Sequence, residues 1–177
     1  TDLPDNFAVR GFLKLENCAA LASLPSKLGV MRSISVGDCP AIKEIPDVRI
    51  GIGLSLSGVP KLQSLSKDAR LQGISLVGEV GSTDFLDALF NHGSIMVRIM
   101  SCPTLTCLPP STIKCRSIKL SKCENIESIC SRIEVEKSIE LDNLQALHAI
   151  SSDIKCKNFK VWSCANLKRL PEKLSVG

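Results

Sequence analysis

The chain has no tyrosine, one tryptophan, five phenylalanines and two histidines among 177 residues. With so few rings, a wide aromatic core is excluded, and the interior has to be made from Leu, Ile, Val and Cys. Two histidines leave little material for imidazole chemistry. No apolar run approaches the roughly 20 residues that cross a bilayer as a helix, and no charged-then-apolar leader opens the sequence. A formal charge of +4 and 44% apolar residues belong to an ordinary globular composition, so a membrane partner is not expected.

What the chain has instead is repetition. The thirteen-residue stretch ISVGDCPAIKEIP at residues 34–46 returns as LKLENCAALASLP from Leu13, VRIMSCPTLTCLP from Val97, IKLSKCENIESIC from Ile118 and FKVWSCANLKRLP from Phe159. Written as h-x-h-x-x-C-x-x-h-x-x-h, with h apolar, the frame starts at Leu13, Ile34, Leu54, Ile74, Val97, Ile118, Ile139 and Phe159. The steps are 21, 20, 20, 23, 21, 21 and 20 residues. In h-x-h the two apolar side chains share one face of an extended segment, so Ile34 and Val36 point inward while Ser35 points out. Successive units should then stack as parallel strands about 4.8 Å apart, each burying its apolar set against its neighbours. Leu21 and Leu24, and their equivalents, close the other wall.

A period of 20–29 residues with an L-x-L-x-x-N/C core is the signature of leucine-rich repeats, and over essentially its whole length the chain resembles that family. The short unit and the LP-x-x-L tail (Leu24-Pro25-x-x-Leu28, Leu170-Pro171-x-x-Leu174) are similar to bacterial effector repeats. The C-P-x-L-x-x-LP pattern is also similar to plant intracellular immune receptors. The fold expected is an α/β repeat solenoid, a leucine-rich-repeat horseshoe with a parallel sheet on its concave face and little helix. One domain spans residues 1–177, with about eight repeats and both ends cut from something longer, since Leu3-Pro4 already belongs to the frame.

The cysteine slot recurs at Cys18, Cys39, Cys102, Cys123 and Cys164, where the family often has Asn. A thiol is small, buries cheaply and carries a weak S–H donor, so it suits a tight turn inside the stack. Val59 and Leu144 fill the slot with plain apolar groups, and Glu79 departs from it. Proline after Cys39 and Cys102, and in LP, fixes φ and lacks an N–H, as turning segments allow. The long fourth unit contains STDFLDALFNHG, which predicts one short helix on the convex side, capped by Ser82 or Thr83, with Phe85, Leu86, Leu89 and Phe90 inward and Gly93 as its stop. The other connectors are expected to hold tight turns or single 3₁₀ turns.

Nine cysteines suggest a disulfide framework, a metal site or a nucleophile, and the repeat weakens all three. Five stand at equivalent positions and would form a column, Cys115 and Cys156 correspond to each other, and the total is odd. Local spacings such as Cys102-x4-Cys107 and Cys123-x6-Cys130 do not match zinc ligands. Neither His92 nor His148 lies in a catalytic motif, and Gly51-x-Gly53 precedes a strand instead of opening a phosphate-binding helix. The expectation is a non-enzyme with no cofactor and reduced, buried cysteines, working in a reducing cytosol, including that of a host cell.

That leaves the exposed face of the sheet. Its expected row runs from Lys14, Glu16, Ser35, Ser55, Ser57, Ser75 and Val77, which are small toward the middle, to long and charged side chains from Met96 onward. Residues 1–93 carry 9 Lys/Arg against 10 Asp/Glu and residues 94–177 carry 13 against 8, so the balance changes from −1 to +5. The predicted partner-binding set is Met96, Arg98, Met100, Lys119, Glu140, Asp142, Lys160 and Trp162, with Trp162 as anchor. Glu140 and Asp142 interrupt any basic stripe, which disfavours nucleic acid and points to a protein partner. The resemblance to bacterial effectors implies a virulence protein in which such an array selects targets for an attached ubiquitin-ligase domain. The resemblance to plant receptors implies a ligand-sensing, autoinhibitory array.

Overall fold

A computed structural model describes residues 4, 7–79, 81–150 and 153–177; Leu3 of the first Leu-Pro pair lies outside them. Extended segments fall where the h-x-h pairs do: β1 (Leu13–Glu16), β2 (Ser33–Gly37), β3 (Gly53–Ser57), β4 (Gly73–Val77), β5 (Met96–Met100), β6 (Ile113–Ser121), β7 (Ile133–Asp142) and β8 (Asn158–Trp162). Each pairs with the next in parallel, and the register lines up Leu13, Ile34, Leu54, Ile74, Val97, Ile118, Ile139 and Phe159 in a single row. The six inner members of that row are buried. Period-2 alternation therefore becomes a stack in which every unit covers its neighbour's apolar edge, and the molecule is a mostly parallel-strand β-solenoid with little helix.

The unit turns in the same way each time. The residue after each of these strands has a positive φ, at Asn17, Asp38, Gly58, Gly78, Ser101, Lys122, Asn143 and Ser163. That left-handed step rotates the next residue inward, and its carbonyl then accepts from the amide three residues on: Cys18 from Leu21, Cys39 from Ile42, Val59 from Leu62, Cys102 from Leu105, Cys123 from Ile126, Leu144 from Leu147 and Cys164 from Leu167. Pro40, Pro60 and Pro103 occupy the position after the slot, where a β-turn favours φ near −65°. The thiols of Cys18, Cys39, Cys102, Cys123 and Cys164 donate to the carbonyl two residues back at 3.2–3.5 Å. The sulfur thus serves a backbone acceptor at the mouth of the turn and fills apolar space as well.

The long unit holds α1 (Thr83–Phe90), with Ser82 as N-cap accepting from the Phe85 amide and Phe85, Leu86, Leu89 and Phe90 buried. Elsewhere the connectors hold the expected tight turns, as at residues 19–20, 40–41 and 60–61, and not 3₁₀ turns. None of the described residues forms a 3₁₀ turn, and the back wall carries two-residue parallel strand pairs, Glu44–Ile45 with Ser64–Leu65 and Ser128–Ile129 with Ala149–Ile150. Buried backbone groups on that wall find partners in the adjacent unit, which a local 3₁₀ turn cannot supply to its outer carbonyls.

All nine cysteines are free thiols, with Cys107 and Cys130 exposed and Cys39, Cys102, Cys115, Cys123 and Cys156 buried. Burial pushes the Cys39 and Cys156 thiols up. The neighbouring Cys123 thiol, with burial, does the same to Cys102. Cys115 is raised to about 12, chiefly by burial and further by the charge of Glu136. In the native protein at pH 8, Cys107 and Cys130 should alkylate first, and the five buried thiols only on unfolding. Mass spectrometry of iodoacetamide adducts checks this.

The raised values also set a pH dependence. An unfolded Cys115 ionises near its ordinary 9.0, while the folded one holds its proton to about 12. Between those values the native state binds more protons, so stability is complete below pH 9 and falls as pH rises toward 12. Urea midpoints at pH 7 and 10.5 should show the drop, and Cys115→Val should make it smaller; equal drops in both proteins would refute the assignment.

Candidate functional site on the open sheet face

Because β5 to β8 run in register, three rows of side chains cross the open face. Arg98, Lys119, Glu140 and Lys160 are successive partners, as are Met100, Ser121, Asp142 and Trp162, and Met96, Ser117, Ser138 and Asn158. All eight residues expected from the sequence therefore meet on four adjacent strands. Glu140 lies between two lysines, 3.5 Å from Lys119 Nζ and 3.6 Å from Lys160 Nζ. Lys119 Nζ also sits 5.6 Å from the centroid of the Trp162 ring. Ser121 Oγ donates to Asp142 Oδ2 at 3.0 Å.

These contacts hold long side chains in place, although partly exposed ion pairs are each worth at most about 1 kcal/mol. Arg98 is exposed and has no carboxylate partner among the described residues, and Met96 and Trp162 remain 39% and 37% exposed. Met96, Arg98, Met100, Lys119 and Glu140 line a groove of about 400 Å³, with Ser117 and Ser138 in its floor. Asp142, Lys160 and Trp162 form the border beyond it. Ser117 and Ser138 precede their h-x-h pairs by one residue, so the signal for them was the same alternation carried one step back. The middle of the face is not featureless either. Ser35, Ser55 and Ser75 help to floor a groove of about 220 Å³, and Ile52 is exposed at its rim.

Neither histidine belongs to strands β5 to β8. His92 Nε2 donates to the Ala69 carbonyl at 2.8 Å on the other side of the strand ends, and His148 is an exposed residue of the back wall. Among the described residues there is no cluster of three or more His, Cys, Asp or Glu able to hold a metal ion, and no helix is long and apolar enough to cross a membrane. Comparison of the chain with protein families, with curated proteins and with solved structures gives no match.

Proposed function

We propose that the chain is a leucine-rich-repeat module that binds a partner protein through the open, concave face of its sheet, and that it acts by binding and not by catalysis. The observation that carries this reading is the assembled patch of β5 to β8. An arginine without a counterion and an exposed methionine and indole stand around a groove whose other charges are already paired. Aromatic and Arg groups so placed are the kind that dominate binding energy at protein interfaces. In this reading the module selects targets for a larger effector that works in a reducing cytosol, the compartment that suits a ladder of free thiols.

A photo-crosslinking residue at Ser138, in the groove, should capture the partner, and one at Ser64 on the back wall should not. Arg98→Ala and Trp162→Ala should each weaken the captured complex about thirtyfold, near 2 kcal/mol, with unchanged melting. Capture from Ser64 alone would refute the concave-face reading. A Trp162→Ala protein that melts much lower yet binds normally would make the indole part of the scaffold. A ubiquitin-ligase domain in the parent chain fits the effector role, whereas a nucleotide-binding domain before the array replaces it with receptor sensing.

A further inference from the structure

Another groove lies away from Trp162. Before reaching β2 and β3 the chain forms a second, smaller parallel sheet from Ala8–Val9, Gly29–Val30 and Arg49–Ile50, and a single bridge from Arg49 to Arg70 extends it. Its register places Ala8, Gly29, Arg49 and Arg70 in one row. Val30 and Ile50 turn into the core, so by alternation that row faces solvent, and Ala8, Arg49 and Arg70 are indeed exposed. A groove of about 770 Å³ runs over it, with Arg10, Met31, Arg49, Arg70, His92 and Ile95 around its sides.

Arg49 and Arg70 are direct cross-strand partners, an arrangement that destabilises a sheet because like charges sit opposite each other. Arg10, Arg49 and Arg70 form no ion pair among the described residues, and no acidic side chain lines the groove. Asp47 and Asp68, two residues before Arg49 and Arg70, make no ion pair with either. On the other face, by contrast, Glu140 lies within ion-pair distance of both Lys119 and Lys160. Between the charges the surface is apolar and open. Met31 is 69% exposed, and a Cβ added at Gly29 would meet nothing within 4 Å.

We propose that this groove binds an extended acidic peptide segment of a partner protein, with carboxylates on Arg49 and Arg70 and an apolar side chain laid over Gly29 against Met31. Carboxylates match the planar fork of arginine, and an anion there removes the repulsion that the empty row carries. Three strand intervals of about 4.8 Å give the row a span of about 14 Å, the reach of four or five extended residues. A nucleic-acid backbone fits less well, since it gains little from an apolar floor and needs a longer basic stripe. The site is independent of the face that carries Trp162, and its failure would leave that reading standing.

The probe is a fluorescein-labelled Glu-Leu-Glu-Leu-Glu peptide, titrated against the whole chain in low salt and followed by polarisation. Binding should weaken at least tenfold in Arg49→Ala and in Arg70→Gln, and disappear in Gly29→Phe, which fills open space without backbone strain. Trp162→Ala should bind as well as the parent protein. Without peptide, Arg70→Gln should melt at the same temperature or higher, which separates lost recognition from lost folding. The proposal is overturned if the peptide does not bind, if Lys-Leu-Lys-Leu-Lys binds equally, or if the arginine variants keep their affinity. It is also overturned if an oligothymidylate binds more tightly with the same dependence on Arg49 and Arg70, which would make the groove a nucleic-acid site.

Discussion

Phe90→Ala should cost about 3–5 kcal/mol, the range for emptying a fully buried ring site. The side chain has no exposure, and with Phe85, Leu86 and Leu89 it forms the inner face of helix α1. That helix touches both the back-wall strand Ser64–Leu65 and strand β6 (Ile113–Ser121), so it bridges the units before and after the longest connector. In a solenoid each unit contacts only its neighbours, and a defect at one junction is not shared by the rest. The expected signature in urea is therefore a lower first midpoint and a transition that splits in two, as the N-terminal and C-terminal stacks lose their coupling. A single cooperative transition displaced by less than about 1 kcal/mol would mean that the helix is peripheral to the core.

Gly51→Ala should be nearly as damaging, at about 2–3 kcal/mol, whereas Gly29→Ala one strand away should stay within about 0.5 kcal/mol. The same methyl group is added in both cases. At Gly51 its carbon would lie 1.9 Å from the Met31 carbonyl oxygen, a backbone atom that cannot rotate away, and at Gly29 it meets nothing within 4 Å. The Gly51 amide also donates to the Val30 carbonyl at 3.0 Å, so relief of the clash has to pull the small sheet apart. Melting curves of the two variants decide the point, and equal losses would show that the close approach of the Met31 carbonyl to Gly51 does not set the cost.

How much of this was readable beforehand follows from the range of each interaction. The row from Leu13 to Phe159 was legible because strand alternation and a 20–23-residue step are properties of the chain itself, and the register adds only that equal positions pair. The helix was legible too, since its cap and its apolar face lie within a dozen residues. The left-handed turn residues were half-visible: Asn17, Asp38, Gly58, Gly78 and Asn143 are types that tolerate positive φ, but Lys122 is not, and only the turn around it imposes the conformation.

The strand positions of the open face follow from alternation, although Ser121, expected to project from it, is buried at 7% exposure, and the wiring does not follow from it. Alternation puts Lys119, Glu140 and Trp162 on one side, yet the placing of Glu140 between two lysines and of Lys119 over the indole depends on side chains leaning across strand boundaries. The second groove was not legible at all. Arg49 and Arg70 are 21 residues apart, and the frame that begins at each h-x-h pair ignores the residues ahead of it. Local patterning determined which residues are strand, turn or helix and which point inward, because those choices are made by backbone geometry over a few residues. Which charges stand together, and where a surface is left open, was decided only when separate passes of the chain were laid side by side, because that adjacency is a property of the packed sheet and of no single segment.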